Sequence, residues 1–316
     1  MKLRRPVLST VAILLLAAAA TGPASATTHL PGTVDIRCAA DTLHQTADWY
    51  LPSTTPRALV WIQHGFARSS AQVAALATSF ADAGYLVFAP SLPFMQLSGC
   101  TLQNLGDNSG FLYNVAELFG TAGDPGGALA KSLSAAAARS GVPAPELPHE
   151  LVFLGHSAGA EAVTFVADRI RSTHPEAWSG LRGVILLDPV KSFVGDNIAR
   201  ALSGLDPTGL PILTISAQPA LCNAFGLGTQ AVQSQLHRPF VGVRLHDGVH
   251  TDAEGDSSDL LGTLFCGTPT SANSAALRTL ALGWTDDFLT GTADSPRLRA
   301  DRELADGLAA DPLPGT

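Results

Sequence analysis

The chain has 316 residues, 46% of them hydrophobic and 15% charged, with a formal net charge of −8 and no visible internal repeat. That length is near the upper size for one domain around one core. An acidic chain of this kind argues against nucleic acid and anionic membranes as partners, because both would repel it.

The first 26 residues, "MKLRRPVLSTVAILLLAAAATGPASA", put Lys2, Arg4 and Arg5 before an apolar run and end on Ala24-Ser25-Ala26. This is the three-part layout of a secretory signal peptide, with cleavage expected after Ala26. The apolar run is short of the ~20 residues a membrane-spanning helix needs. No later stretch is long enough either, so a secreted protein with no integral membrane segment is expected. Arg4-Arg5 leaves twin-arginine export open as the route. Loss of the leader removes three positive charges and leaves Lys131 and Lys191 as the remaining lysines.

Two weak runs, "TVDIRC" (33–38) and "HQTADWYL" (44–51), read as an antiparallel hairpin. "ALVWIQ" (58–63), "YLVFAP" (85–90), "ELVFLG" (150–155), "GVILLD" (183–188), "PILTIS" (211–216) and "FVGVRL" (240–245) read as strands. Their continuous Val, Ile and Leu, without alternation, is what strands buried on both faces look like. Helical spacing separates them. Val73, Leu76, Ala77 and Phe80 share one face of a helix that stops at Gly84, and Ala162, Phe165, Val166 and Ile170 share another. The crossover from 91 to 149 is too long for one helix and is expected to hold two, over 106–120 and 126–141. A last helix is expected over 274–289. Strands alternating with helices predict a mainly parallel sheet covered on both faces.

One junction carries a chemical signature. "LVFLGHSAGAEAVTF" (151–165) runs from strand into helix through Gly155-His156-Ser157-Ala158-Gly159. A sharp strand-to-helix turn has no room for side chains at the flanking positions, and it lifts the serine hydroxyl above the sheet edge. Ser157 is therefore a candidate nucleophile, and it needs a base to take its proton. "VRLHDGVHTDAEGD" (243–256) offers His246, abutting the strand end, and His250, on a loop long enough to swing back over the sheet; His250 is the better placed. The base in turn needs a carboxylate to orient it. "PILTISAQPALCNAFGLG" leaves its strand with no acid, whereas "LLDPV" ends its strand on Asp188, with Pro189 enforcing the break. Asp188 is expected to fill that role, ahead of Asp206, whose place in "GLDPTG" suits a turn. An oxyanion needs two amide donors. Ala158 follows the nucleophile, and Phe66, in "QHGFARSS", follows a glycine that lets the backbone approach closely. Phe66, Phe94 and Met95 are candidate substrate-lining residues; Leu97, Phe111, Leu112 and Phe119 could join them or belong to the core. His156 is expected to pack within the elbow, and His64 to brace the loop after the third strand by hydrogen bonding.

Asp252, Glu254 and Asp256 alternate after His250 and invite a metal reading, but the HExxH order is missing and the calcium-loop ligand string is incomplete. A solvated acidic loop is expected there, with no metal and no cofactor. The tail from residue 293 mixes charge with Pro and Gly, lacks aromatics, and is expected to add little to a domain spanning 27–292. Cys38, Cys100, Cys222 and Cys266 make an even count in an exported chain, which favours two disulfides in one of three pairings.

In "GHSAG", "LLDPV" and "GVHTDAEG", over roughly residues 45–290, the sequence resembles the α/β-hydrolase superfamily, and within it the branch of chlorophyllases and platelet-activating-factor acetylhydrolase-like enzymes. That branch carries its acid after the sixth strand. The "HGF" and "GHSxG" segments are also similar to bacterial cutinases and polyester hydrolases, which place the acid after the seventh. The resemblance implies an α/β fold with a mostly parallel sheet of about eight strands, and a monomeric serine esterase or lipase-like enzyme acting on a small-molecule, lipid or polymer ester through Ser157, His250 and Asp188. Acyl transfer by the same residues and a catalytically silent binding protein are the alternatives. In that fold the loop after the seventh strand neighbours the histidine loop, which implies disulfides Cys222–Cys266 and Cys38–Cys100.

Overall fold

The computed structural model describes residues 27–291, 295–305 and 307–316; the segment read as a leader lies outside them. Nine strands form one sheet: β1 (Thr28–Cys38), β2 (Asp41–Leu51), β3 (Leu59–Gln63), β4 (Leu86–Pro90), β5 (Leu151–His156), β6 (Leu181–Leu187), β7 (Ile212–Ser216), β8 (Gly242–Leu245) and β9 (Ala310–Leu313). Their spatial order is β1-β2-β4-β3-β5-β6-β7-β8-β9. The inner strands from β4 to β8 pair in parallel, while β1, β2 and β9 join antiparallel at the two sides. Parallel neighbours need crossovers, and those are helical. The helices are α1 (Ala74–Asp82), α2 (Ser109–Gly120), α3 (Ala128–Ser140), α4 (Ala158–Thr173), α5 (Pro175–Gly180), α6 (Asn197–Leu205), α7 (Leu227–Gln235), α8 (Leu260–Cys266), α9 (Ser271–Thr290) and α10 (Ser295–Ala305).

The side-chain period of two splits the core into two layers. Leu59, Trp61, Leu151, Phe153, Val184 and Leu186 face one side, where α2, α3, α4, α6 and α7 cover them. Val60, Ile62, Val152, Leu154, Ile185 and Leu187 face the other, under α1, α9 and α10. The runs that look unpatterned in sequence are thus two interleaved apolar faces. Trp61 packs its ring against Phe119 of α2 and Phe153 of β5, which locks the crossover to the sheet centre. Cys38 at the end of β1 is bonded to Cys100 in the crossover, and Cys222 is bonded to Cys266 at the end of α8.

The tail departs from expectation. β9 pairs with β8 from Gly242↔Leu313 to Leu245↔Ala310, and Ala300, Ala310 and Leu313 are buried. The domain therefore extends past 292 to the last strand. Pro312 cannot donate to a ladder, which makes a strand here look improbable in sequence, yet an edge position tolerates it.

Candidate active site

Ser157 sits between β5 and α4 with φ 57° and ψ −124°, a left-handed backbone conformation that costs a non-glycine residue on the order of 1–3 kcal/mol. Its neighbours hold it there. The Ser157 amide donates to the Leu187 carbonyl (3.0 Å), and the Ser157 carbonyl accepts from the amides of Ala160 and Val190. A Cβ at Gly155 would stand 2.4 Å from the Gly159 carbonyl oxygen, and one at Gly159 would stand 2.4 Å from that of Gln63. Both glycines are thus required by close backbone approach. A Cβ at Gly65 would meet the Ser157 side chain at 2.6 Å, so the loop after β3 lies directly against the serine. Ala158 is the first residue of α4, where an amide has no intrahelical acceptor and the helix dipole favours negative charge.

β6 ends in a second sharp turn. Asp188 has φ 42°, its amide donates to the Ile215 carbonyl, and its carboxylate points to the histidine loop. The Oδ2 atom lies 2.6 Å from His250 Nδ1. The remaining acceptor capacity is taken by the Ala217 amide (3.0 Å to Oδ1) and by Asn223 Nδ2, which reaches both oxygens at 3.1–3.2 Å. With the Nδ1 proton directed to the carboxylate, Nε2 is the ring nitrogen left to exchange a proton. Asn223 lies on the acid-free loop after β7, and sequence reasoning missed it. Gln218 and Asn223 are the two amide side chains of that loop, and nothing in the spacing points Asn223 at Asp188.

The alternative residues lie elsewhere. His246 is exposed beside Asp311 of β9, and Asp206 opens the 3₁₀ turn Asp206–Thr208 and accepts from the amide and ring of His237, 31 residues away. His156, buried beneath the elbow, donates from Nε2 to the His250 carbonyl (2.8 Å), and the two imidazoles lie 4.7 Å apart. Burial is the main cause that holds His156 well below the ordinary histidine range; the charge of His250 adds to it. His64 is fully buried and donates from Nδ1 to Gly65 O (2.7 Å).

The acidic loop is not solvated as expected: Asp252 and Glu254 are buried, and Asp256 alone is exposed. Asp252 accepts from the amides of Val249 and Thr270, fixing the turn that carries His250. Glu254 accepts from Arg68 Nε (2.8 Å) and from Ser258 Oγ (2.7 Å), which ties the histidine loop to the loop carrying Phe66. Burial pushes both carboxyls up, against the opposing effect of these donors. Among the described residues no group of three or more His, Cys, Asp or Glu could hold a metal ion.

Ser157 and His250 line one cleft of about 330 Å³ together with Phe66, Arg68, Leu261 and Phe265. Phe94 is set back and packs edge-on against Phe66 at 5.4 Å. Met95 and Leu97 do not line the cleft; they stand 65% and 92% exposed, while Phe111, Leu112 and Phe119 are core residues. The apolar wall comes instead from α8, which was not foreseen. A seven-residue helix offers too short a window for periodicity, and the usable signal was the charge-free run "LLGTLFC" after Asp259.

Strand order, crossover pattern and the elbow after β5 define an α/β-hydrolase fold. No protein-family model and no curated protein matches the sequence. Among solved structures, the chain is similar to a ferulic acid esterase from Streptomyces cinnamoneus, with 17% identity, 88% of this chain and 93% of that chain covered, and a TM-score of 0.55. A dienelactone hydrolase from Anabaena variabilis shares 16% identity over 81% of this chain and 96% of its own, at a TM-score of 0.47. A highly thermostable carboxyl esterase from Bacillus coagulans shares 21% identity over 58% of this chain at a TM-score of 0.33, and this chain spans about half of that esterase, 51%. At 17% identity, the likeness to the ferulic acid esterase supports the fold alone.

Proposed function

We propose that the chain is a secreted serine hydrolase that cleaves carboxylic esters through an acyl-enzyme. The observation that carries this reading is Ser157, held at φ 57° on the strand–helix junction and lining the same cleft as a histidine bonded to a buried aspartate. Secretion is supported by the composition of residues 1–26, by two disulfides, and by the finding that no described helix is long and apolar enough to cross a membrane.

In the first step the Ser157 Oγ proton passes to His250 Nε2 as Oγ bonds to the ester carbonyl carbon. Asp188 keeps the Nδ1 proton in place and stabilises the imidazolium. The carbonyl oxygen gathers the negative charge between the amides of Phe66 and Ala158, where fixed dipoles need no reorganisation. Collapse of the tetrahedral adduct breaks the carbon–oxygen bond of the ester, and His250 returns its proton to the departing alkoxide. Water then enters, gives a proton to His250 and attacks the acyl carbon; collapse releases the acid and restores the Ser157 hydroxyl. Ser157→Ala is expected to lower kcat/KM for p-nitrophenyl acetate by at least about 10³-fold and to abolish labelling by a fluorophosphonate. Retained turnover in the alanine variant would remove Ser157 from the role.

A further inference from the structure

The cleft opens onto an apolar surface that the reaction itself does not use. Half of the large apolar side chains that stand exposed among the described residues lie on two short segments joined by the Cys222–Cys266 disulfide: the 3₁₀ turn Leu221–Gly226 with the start of α7, and α8. Packing decides which side of α8 is free. Gly262 rests on Arg68, where a Cβ would meet the guanidinium at 2.2 Å, and Leu261 and Phe265 reach into the cleft. Leu260 and Leu264 are 79% and 70% exposed, and across the disulfide Leu221 and Phe225 are 78% and 62% exposed. Soluble proteins rarely leave so much contiguous apolar area bare unless it meets a partner.

We propose that this rim seats the enzyme on the surface of a water-insoluble, uncharged ester, such as a neutral lipid droplet, so that the cleft draws substrate from the surface rather than from solution. The proposal rests on the ester-hydrolase reading. Two observations choose this occupant. The patch is continuous with the wall of the cleft, so a second copy seated on it would cover the Ser157 mouth. It also carries no charge: residues 221–228 and 260–267 contain no Lys, Arg, Asp or Glu, and Asp259, the acid adjoining the second segment in sequence, is paired with Arg68. A chain of net charge −8 with an uncharged rim is complementary to a neutral surface, not to an anionic one.

The test uses the full chain carrying Ser157→Ala, so that binding is read without turnover. Flotation with triolein droplets is compared with and without Leu264→Ser and Phe225→Ser, neither of which lines the cleft. The parent is expected to float with the droplets, undiminished by 0.5 M salt, and the double substitution to weaken partitioning by about tenfold or more. With Ser157 intact, the same double substitution is expected to leave p-nitrophenyl acetate turnover unchanged and to lower hydrolysis of emulsified tributyrin. Equal partitioning of the two proteins would overturn the proposal. So would binding that requires phosphatidylglycerol in the droplet coat, or a dimer in solution that the substitutions dissociate. Absence of turnover on the soluble ester with droplet binding retained would instead sink the hydrolase reading and leave the surface standing.

Discussion

At the scale of single residues, the site is a set of polar groups that each have one geometry open to them. Asp188 accepts from His250, Ala217 and Asn223 at once, so its carboxylate has no rotational slack. The two histidines that brace the loops are kept neutral by burial, and that has a consequence for stability in acid. Burial lowers the His64 pKa to about 4, against the opposing effect of its bond to Gly65. An unfolded histidine takes up its proton near ~6.5. Between those values the unfolded state binds the proton that the folded state refuses, so folding free energy falls as pH drops from about 6.5 towards about 4. His156 acts in the same direction, and the raised carboxyls of Asp252 and Glu254 act against it. His64→Gln removes the titrating group while keeping a donor for the Gly65 carbonyl. Urea unfolding across pH 7 to 4 is expected to lose stability less steeply in this variant, by up to about 3 kcal/mol; identical slopes would mean that His64 is not the proton acceptor. That Ser157, Asp188 and His250 stand beyond strand ends was legible, because each strand end is marked by glycine, proline or a break in the apolar run. Asn223, Arg68 and Glu254 were not, because their roles exist only between loops far apart in sequence.

Among the elements, the disulfide at the cleft mouth matters most. Cys222–Cys266 closes a stretch of 44 residues that contains β8 and the whole histidine loop, and it holds the turn bearing Asn223 against α8. In the chain-entropy account a link of that span removes about 4 kcal/mol of freedom from the unfolded chain. Replacing both cysteines by serine is expected to cost a comparable amount in guanidinium unfolding. A cost below about 1 kcal/mol would show that packing alone fixes this corner. Eight of the nine strands of the sheet were legible from their apolar runs, and their mainly parallel arrangement from the alternation with helices. α8 was invisible because a single turn or two of helix leaves no periodic signature, and its apolar residues do not face the core that periodicity reports.

For the molecule as a whole, the sheet has parallel strands at its centre and an antiparallel cover on each side. The β1–β2 hairpin covers β4, and β9 covers β8. The second cover was missed because "ADPL" has neither β-branched residues nor alternation; it is a strand by virtue of the neighbour it meets. Deleting residues from 293 onward is expected to bare the β8 edge and strip the acceptor that Pro296 offers to the buried Trp284 indole. An unpaired edge of this kind templates association, so the shortened chain is expected to melt earlier and to form soluble aggregates in light scattering. A monomeric truncation with unchanged melting would show that β9 is ornamental. The same placement governs how synthesis and folding are timed. Because β8 precedes its partner β9 by the whole of the histidine loop, α8, α9 and α10, its edge stays open until that later segment has been made and folded back, so β9 acts as the latch that ends the edge's exposure to other unfinished chains.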